Sequence, residues 1–149
     1  LPHLVALLTD ARNASTTLRI TSGYRSFYDQ ASLKTGYTVT YGAGTANKFS
    51  ADQGYSEHQL GTTVDFITTG VSSTLIGFDT KPAFAWLQAN AYKYGFVLSY
   101  PKNNSYYIYE PWHWRYVGVS LATRLHNEGK NFYDADQRTI DEYLSVFFD

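Results

Sequence analysis

Tyr109-Glu110-Pro111-Trp112-His113-Trp114-Arg115 sets a carboxylate and an imidazole three residues apart across a proline. In an unbroken strand, positions three apart face opposite sides. Pro111 interrupts that regularity, because proline cannot donate to a β ladder and forces the residue before it into an extended conformation. A bulge or kink is therefore expected here, and it lets Glu110 and His113 address one cavity. Trp112, Trp114 and Tyr116 alternate on the apolar side, where they are expected to wall that cavity and exclude water.

Upstream, Ser56-Glu57-His58 is followed by Asp65. Seven residues of strand span roughly 23 Å and seven of helix roughly 10 Å. Neither brings His58 and Asp65 to one ion, whose ligand atoms each lie about 2 Å away. The chain must fold back between them, and Gln59-Leu60-Gly61 supplies the pivot, since glycine tolerates backbone angles that other residues resist. His58 is expected on the loop before a strand and Asp65 on the strand itself. Two imidazoles and two carboxylates within reach of one point suit a catalytic zinc with three protein ligands and one open position. With no cysteine in the chain, His, Asp and Glu are the available donors. Taken singly, Asp65 reads equally as a buried carboxylate paired with an arginine, and Glu110 as a strand-edge charge. His3 and His126 read as surface or hydrogen-bonded histidines.

The 149 residues suffice for one domain, 1–149, with a core of its own. A net charge of -1 offers no electrostatic footprint for nucleic acid or an anionic membrane. No apolar run approaches the roughly 20 residues of a membrane span, and residues 1–8 show no signal peptide. Aromatic residues make up 17% of the chain, and the many tyrosines suit either a core boundary or a wet groove.

Helical spacing of Leu4, Leu7, Leu8 and Ala11 predicts a first helix that ends near Asn13. Residues 17–22 alternate Leu18 and Ile20 against Arg19 and Thr21, predicting a strand with one buried face that delivers Arg25 at its exit. Ser26 with Asp29 predicts a capping box for a helix over 28–34, closed by Gly36. Residues 36–55 read as a long surface loop, and 62–68 as a strand carrying Asp65. Asp79 or Thr80 is expected to cap a helix starting at Pro82, with Phe84, Leu87, Ala91 and Tyr94 on one stripe and Gly95 as its stop. Residues 96–100 and 105–109 flank the turn sequence Pro101-Lys102-Asn103-Asn104 and predict a hairpin. Helices follow around 121–127 and 140–147. Helices and antiparallel strands in mixed order predict an α+β fold.

At the site residues the chain resembles the VanY-type zinc D-alanyl-D-alanine carboxypeptidase family, which includes L,D-carboxypeptidases of peptidoglycan. The family's Ser-x-His-x-x-Gly-x-x-x-Asp is matched by Ser56, His58, Gly61 and Asp65, and its Glu-x-Trp-His by Glu110, Trp112 and His113. Ser22-Gly23-Tyr24-Arg25-Ser26 with Gln30, and Tyr94-Gly95-Phe96-Val97-Leu98 with Tyr100-Pro101, resemble its other blocks. The likeness implies a central antiparallel sheet flanked by helices, of the Hedgehog/DD-peptidase kind. It implies His58, Asp65 and His113 as ligands of Zn2+ and Glu110 as general base. Arg25 would meet the substrate carbonyl oxygen or terminal carboxylate, with Gln30 and Ser56 as polar contacts and Tyr109 and Trp112 as aromatic ones. Thr63 and Trp114 depart from the family pattern, which bears on the width of the groove.

The implied reaction is removal of a C-terminal D-alanine from a peptidoglycan stem peptide, D,D or L,D, by a monomer acting outside the cytoplasm. Two alternatives are an endopeptidase on the same fold and a non-catalytic wall-binding module. A base beside the open position favours catalysis over mere binding.

Overall fold

The computed structural model describes residues 1–47 and 50–144. Four strands, β1 (Arg19–Ser22), β2 (Thr63–Ile67), β3 (Phe96–Leu98) and β4 (His113–Tyr116), form one antiparallel sheet in the order β1-β2-β4-β3. The helices are α1 (Pro2–Asn13), α2 (Phe27–Tyr41), α3 (Ala43–Ala46), α4 (Pro82–Asn90), α5 (Val119–Glu128) and α6 (Gln137–Leu144). The fold is α+β, as the mixed order of elements predicts.

Strand alternation assigns the two faces of the sheet. Val64 and Phe66 of β2 and Trp114 of β4 enter a core with Leu7 of α1 and Phe84 and Leu87 of α4. Asp65, His113 and Arg115 therefore project from the other face. A second cluster of Leu121, Leu125 and Phe132 collects Val97, which stands opposite Arg115 in the register and so shares that other face. Both sides of β2 are covered, since Thr63 and Asp65 are buried as well as Val64 and Phe66.

Several expectations need correction. Helix α2 starts on the predicted capping box, with Asp29 N–H donating to Ser26 Oγ, but it runs through Gly36 and ends at Gly42, where φ is +80°. A glycine inside a helix costs only about 1 kcal/mol. Buried Gln30 and Lys34 anchor this helix to residues 50–52 and outweigh that cost. The expected loop over 36–55 thus contains the end of α2 and all of α3. Strand β3 pairs with β4, not with residues 105–109, which form no strand. The turn chemistry is present, because the Asn104 side chain donates to the Pro101 carbonyl and accepts from the Tyr106 and Tyr107 amides. That turn leads into an irregular crossing over the cleft.

Leu18 packs against the core as expected, but Ile20 on β1, an edge strand, is exposed, so the predicted buried face holds only in part. Helix α4 begins at Pro82 with Lys81 at its N-cap and no side-chain cap; Asp79 instead pairs with Lys102. Trp114 lies in the core, its indole N–H bonded to the Pro111 carbonyl, and Tyr116 packs against the same core. Of the three aromatics expected to wall the cavity, Trp112 alone lines it. The final helix starts three residues earlier than expected, and 145–147 lie outside the described residues.

Candidate metal centre

A short 3₁₀ turn, Glu57–Leu60, carries His58 and stops at Gly61, whose φ of +71° supplies the predicted reversal into β2. Asp65 then lies directly opposite His113 in the β2–β4 register. Glu110 sits just ahead of β4, where the His113 N–H donates to the Glu110 carbonyl at 3.1 Å and closes a turn over Pro111. Pro111 thus breaks the strand, and the break brings Glu110 Oε2 to 3.5 Å from His113 Nδ1.

The ligand atoms of His58, Asp65 and His113 all lie within 4.8 Å of one another. His58 Nε2 is 3.3 Å from Asp65 Oδ2, and His113 Nδ1 is 3.2 Å from Asp65 Oδ1. All three residues are buried, and the imidazole rings meet edge to face at 4.9 Å. Despite its closeness to His113 Nδ1, Asp65 Oδ1 lacks hydrogen-bond geometry and has no donor among the described residues. A buried carboxylate with an orphaned oxygen, set between two imidazoles, fits a divalent cation, because burial without a partner is costly.

Each histidine is held through its other nitrogen. His58 Nδ1 lies 2.7 Å from the Gly23 carbonyl, and His113 Nε2 lies 2.8 Å from Glu57 Oε2. A nitrogen turned to an acceptor carries the proton and leaves the other bare for an ion.

Electrostatics sort the carboxylates. Burial is the largest influence on Glu110 and pushes it up to about 7. Burial also opposes ionisation of Asp65, but the His113 and His58 imidazoles beside it hold it well below the usual carboxylate range. For Glu57, burial is again overcome by His113, and its value falls to about 2. Burial works against charging His113, yet Asp65 and Glu57 raise it to about 9. A proton on His113 thus balances the surrounding carboxylates when no cation does.

The site opens into a cleft of about 530 Å³. Arg25, Gln30, Ser56 and Trp112, the substrate contacts that the resemblance implies, line it. Arg25 leaves the bulged end of β1, and its backbone N–H donates to the His58 carbonyl at 3.1 Å. Its guanidinium donates to Gln30 Oε1 at 2.7 Å and Ser22 Oγ at 3.1 Å. Gln30 donates in turn to the Ala51 carbonyl at 2.7 Å, so a buried amide holds the arginine in place and leaves guanidinium donors for a ligand.

Tyr109 is absent from the cleft wall; its hydroxyl donates to Asp79 Oδ2 at 3.4 Å, and Lys102 lies over its ring. Tyr100, Tyr107 and Ile108 line the cleft instead, with Tyr37 and Tyr41 from the part of α2 beyond Gly36. Thr63 and Trp114 do not reach it, so their departures from the family pattern leave its width to other residues. Outside the cleft, His3 packs at a tilt against Tyr116, and His126 stacks on Tyr92.

Sequence reasoning gave no role to Glu57, Arg115 or Tyr133, which meet behind His113. Arg115 carried a usable signal, since a residue two positions from a strand ligand shares its face.

A family profile described as "VanY: D-alanyl-D-alanine carboxypeptidase" matches residues 1–119. A D-alanyl-D-alanine carboxypeptidase of Enterococcus faecalis is 33% identical over 157 residues, covering 97% of this chain and 54% of that protein. The chain spans about half the length of the curated relatives it matches. Among solved structures, the LdcB LD-carboxypeptidase superposes with a TM-score of 0.78 at 30% identity, covering 97% of this chain and 65% of the other. A vancomycin-resistance D,D-pentapeptidase VanY mutant in complex with Zn(II) superposes with a TM-score of 0.72 at 32% identity, covering 96% and 80%.

Proposed function

The chain belongs to the VanY D-alanyl-D-alanine carboxypeptidase family, and on that premise we propose that it is a zinc carboxypeptidase removing a C-terminal D-alanine from peptidoglycan stem peptides. His58, Asp65 and His113 hold the metal within a single domain, 1–149, which works outside the cytoplasm as a monomer. The observation that carries this reading is the ligand cluster, its atoms within 4.8 Å, with Glu110 beside it and Arg25 in the same cleft.

Zinc bound there supplies a Lewis acid and lowers the pKa of a coordinated water toward about 7. Glu110 takes a proton from the attacking water and later delivers it to the departing amine of D-alanine. A carboxylate whose burial already favours its protonated form is suited to that return. Arg25, fixed by Gln30 and Ser22, donates to the carbonyl oxygen as it gains negative charge or to the terminal carboxylate of the substrate. Trp112 and Tyr107 line the cleft beside the reacting groups and limit water there.

Digestion of defined muropeptides with and without chelator, read by mass spectrometry, tests the reading. Free D-alanine that disappears on chelation supports it. Paired peptide fragments would mean an endopeptidase, and binding without any turnover would mean a recognition module.

A further inference from the structure

We propose that Glu57 is a positioning residue for the metal centre: it holds His113 through Nε2, presents Nδ1 to the cation, and is itself clamped by Arg115 and Tyr133. The inference rests on the ligand set proposed above. Glu57 is buried, and both of its oxygens are committed. Oε2 takes the His113 Nε2 contact at 2.8 Å, while Oε1 accepts from Arg115 Nη1 at 2.8 Å and from the Tyr133 hydroxyl at 2.5 Å. A carboxylate fixed at both ends cannot swing into the metal position as a competing ligand.

The two histidines therefore present opposite ring nitrogens. Nε2 of His58 faces Asp65 while Nδ1 is turned to the Gly23 carbonyl; in His113 the roles are exchanged. A carboxylate partner makes an imidazole a stronger donor to a metal than a carbonyl partner does, because it stabilises the positive charge drawn onto the ring. Glu57 thus gives His113 both its orientation and added ligand strength.

The clamp is assembled from distant parts of the chain. Arg115 follows His113 by two positions on β4, so the register places both on one face. Tyr133 comes from the 3₁₀ turn Phe132–Asp134, beyond the segment that the family profile matches. Phe132 anchors that turn in the second core cluster, and its ring lies 4.6 Å from the Arg115 guanidinium. This 3₁₀ turn therefore reaches the metal centre through the Tyr133 hydroxyl.

A purely structural ion pair would behave differently. Its loss would lower the stability of the metal-free fold and leave zinc affinity of the folded protein unchanged. The test is a zinc dissociation constant from chelator competition, measured on folded protein confirmed by circular dichroism, with Co(II) absorption spectra as a second readout of ligand geometry. Glu57→Ala is expected to weaken zinc by about 10- to 100-fold and to alter the Co(II) spectrum, and Glu57→Gln by about tenfold. Tyr133→Phe is expected to weaken zinc by about two- to fivefold, with no further loss when combined with Glu57→Ala. Should Glu57→Ala not fold, Glu57→Gln and Tyr133→Phe decide. Parent-like affinity, within about twofold, in every folded Glu57 variant and in Tyr133→Phe overturns the proposal. His113→Ala separates the two readings: if it keeps parental zinc affinity the ligand set fails, and if it alone loses zinc the Glu57 inference fails.

Discussion

Asp65 and His113 are cross-strand neighbours on β2 and β4, and the 3.2 Å between Asp65 Oδ1 and His113 Nδ1 is set by the ladder that joins the strands. Sheet geometry, more than loop conformation, thus fixes the distance between these two proposed ligands. His58 is brought to them by a turn that stops at a glycine, Gly61. Sites carried on regular elements hold their geometry better than sites on loops.

Asp65→Asn keeps the shape of the side chain and removes its charge. Zinc affinity is expected to fall by at least about 100-fold while the metal-free fold persists, because the neutral amide cannot replace the carboxylate ligand. Metal content after dialysis, with circular dichroism, checks this; one tightly held zinc per chain would contradict the assignment.

Glu110→Ala leaves all three proposed ligands in place and removes the proton carrier. Turnover is expected to drop by about 10²- to 10⁴-fold with zinc still bound. A variant that retains most of its rate would show that another group moves the proton.

As the proposed base, Glu110 acts in its deprotonated form, so turnover is expected to rise with pH through its pKa and to fall below it. Burial raises that pKa from 4.5 to about 7, and a neighbouring dication pulls it back down. The acid limb of kcat/KM is therefore expected to have its midpoint between those two values. With zinc retention verified at each pH, a rate that stays constant from pH 7 down to 4 would argue against Glu110 as base.

Arg25→Ala removes a cationic donor from the cleft and is expected to lower kcat/KM by about 10- to 100-fold without loss of zinc. Gln30→Ala should move the same parameter in the same direction by less, since it releases the guanidinium without deleting it. Steady-state kinetics on a defined tetrapeptide or pentapeptide separates the two variants.

Gly95→Ala tests the junction between α4 and β3. Gly95 has φ of +85°, and an added Cβ would lie 2.6 Å from the Tyr116 ring and 2.9 Å from the Gly118 backbone. Left-handed strain and overpacking together are expected to cost about 2–4 kcal/mol. Urea denaturation of the metal-free protein measures it, and a loss under 1 kcal/mol would mean that the neighbours yield.

The convergence of His58, Asp65, His113 and Glu110 was legible because short-range chemistry constrains it, through a proline between Glu110 and His113 and a glycine between His58 and Asp65, whereas the separate roles of ligand and base were implied by the family resemblance. Helix α1 and the start of α4 were legible from apolar spacing and from Pro82. The second half of α2 was hidden because Gly36 is a weak stop, and the anchoring of Gln30 and Lys34 to residues 50–52 is tertiary. The pairing of β3 was hidden because Tyr106, Tyr107, Ile108 and Tyr109, residue types common in strands, imitate one. Tyr109 was expected among the substrate contacts, yet its hydroxyl turns to Asp79. Nothing local in the sequence marks Tyr133 as a neighbour of Glu57.

Since its proposed ligands come from both ends of the long excursion between the 3₁₀ turn and β4, a captured ion would act as a reversible staple, tying that whole stretch into a ring. Opening the ring would require giving up the ion first, so metal supply would govern how often α4 and the cleft-spanning segment are exposed to proteases. Scarcity of zinc would then shorten the life of the protein as well as silence it.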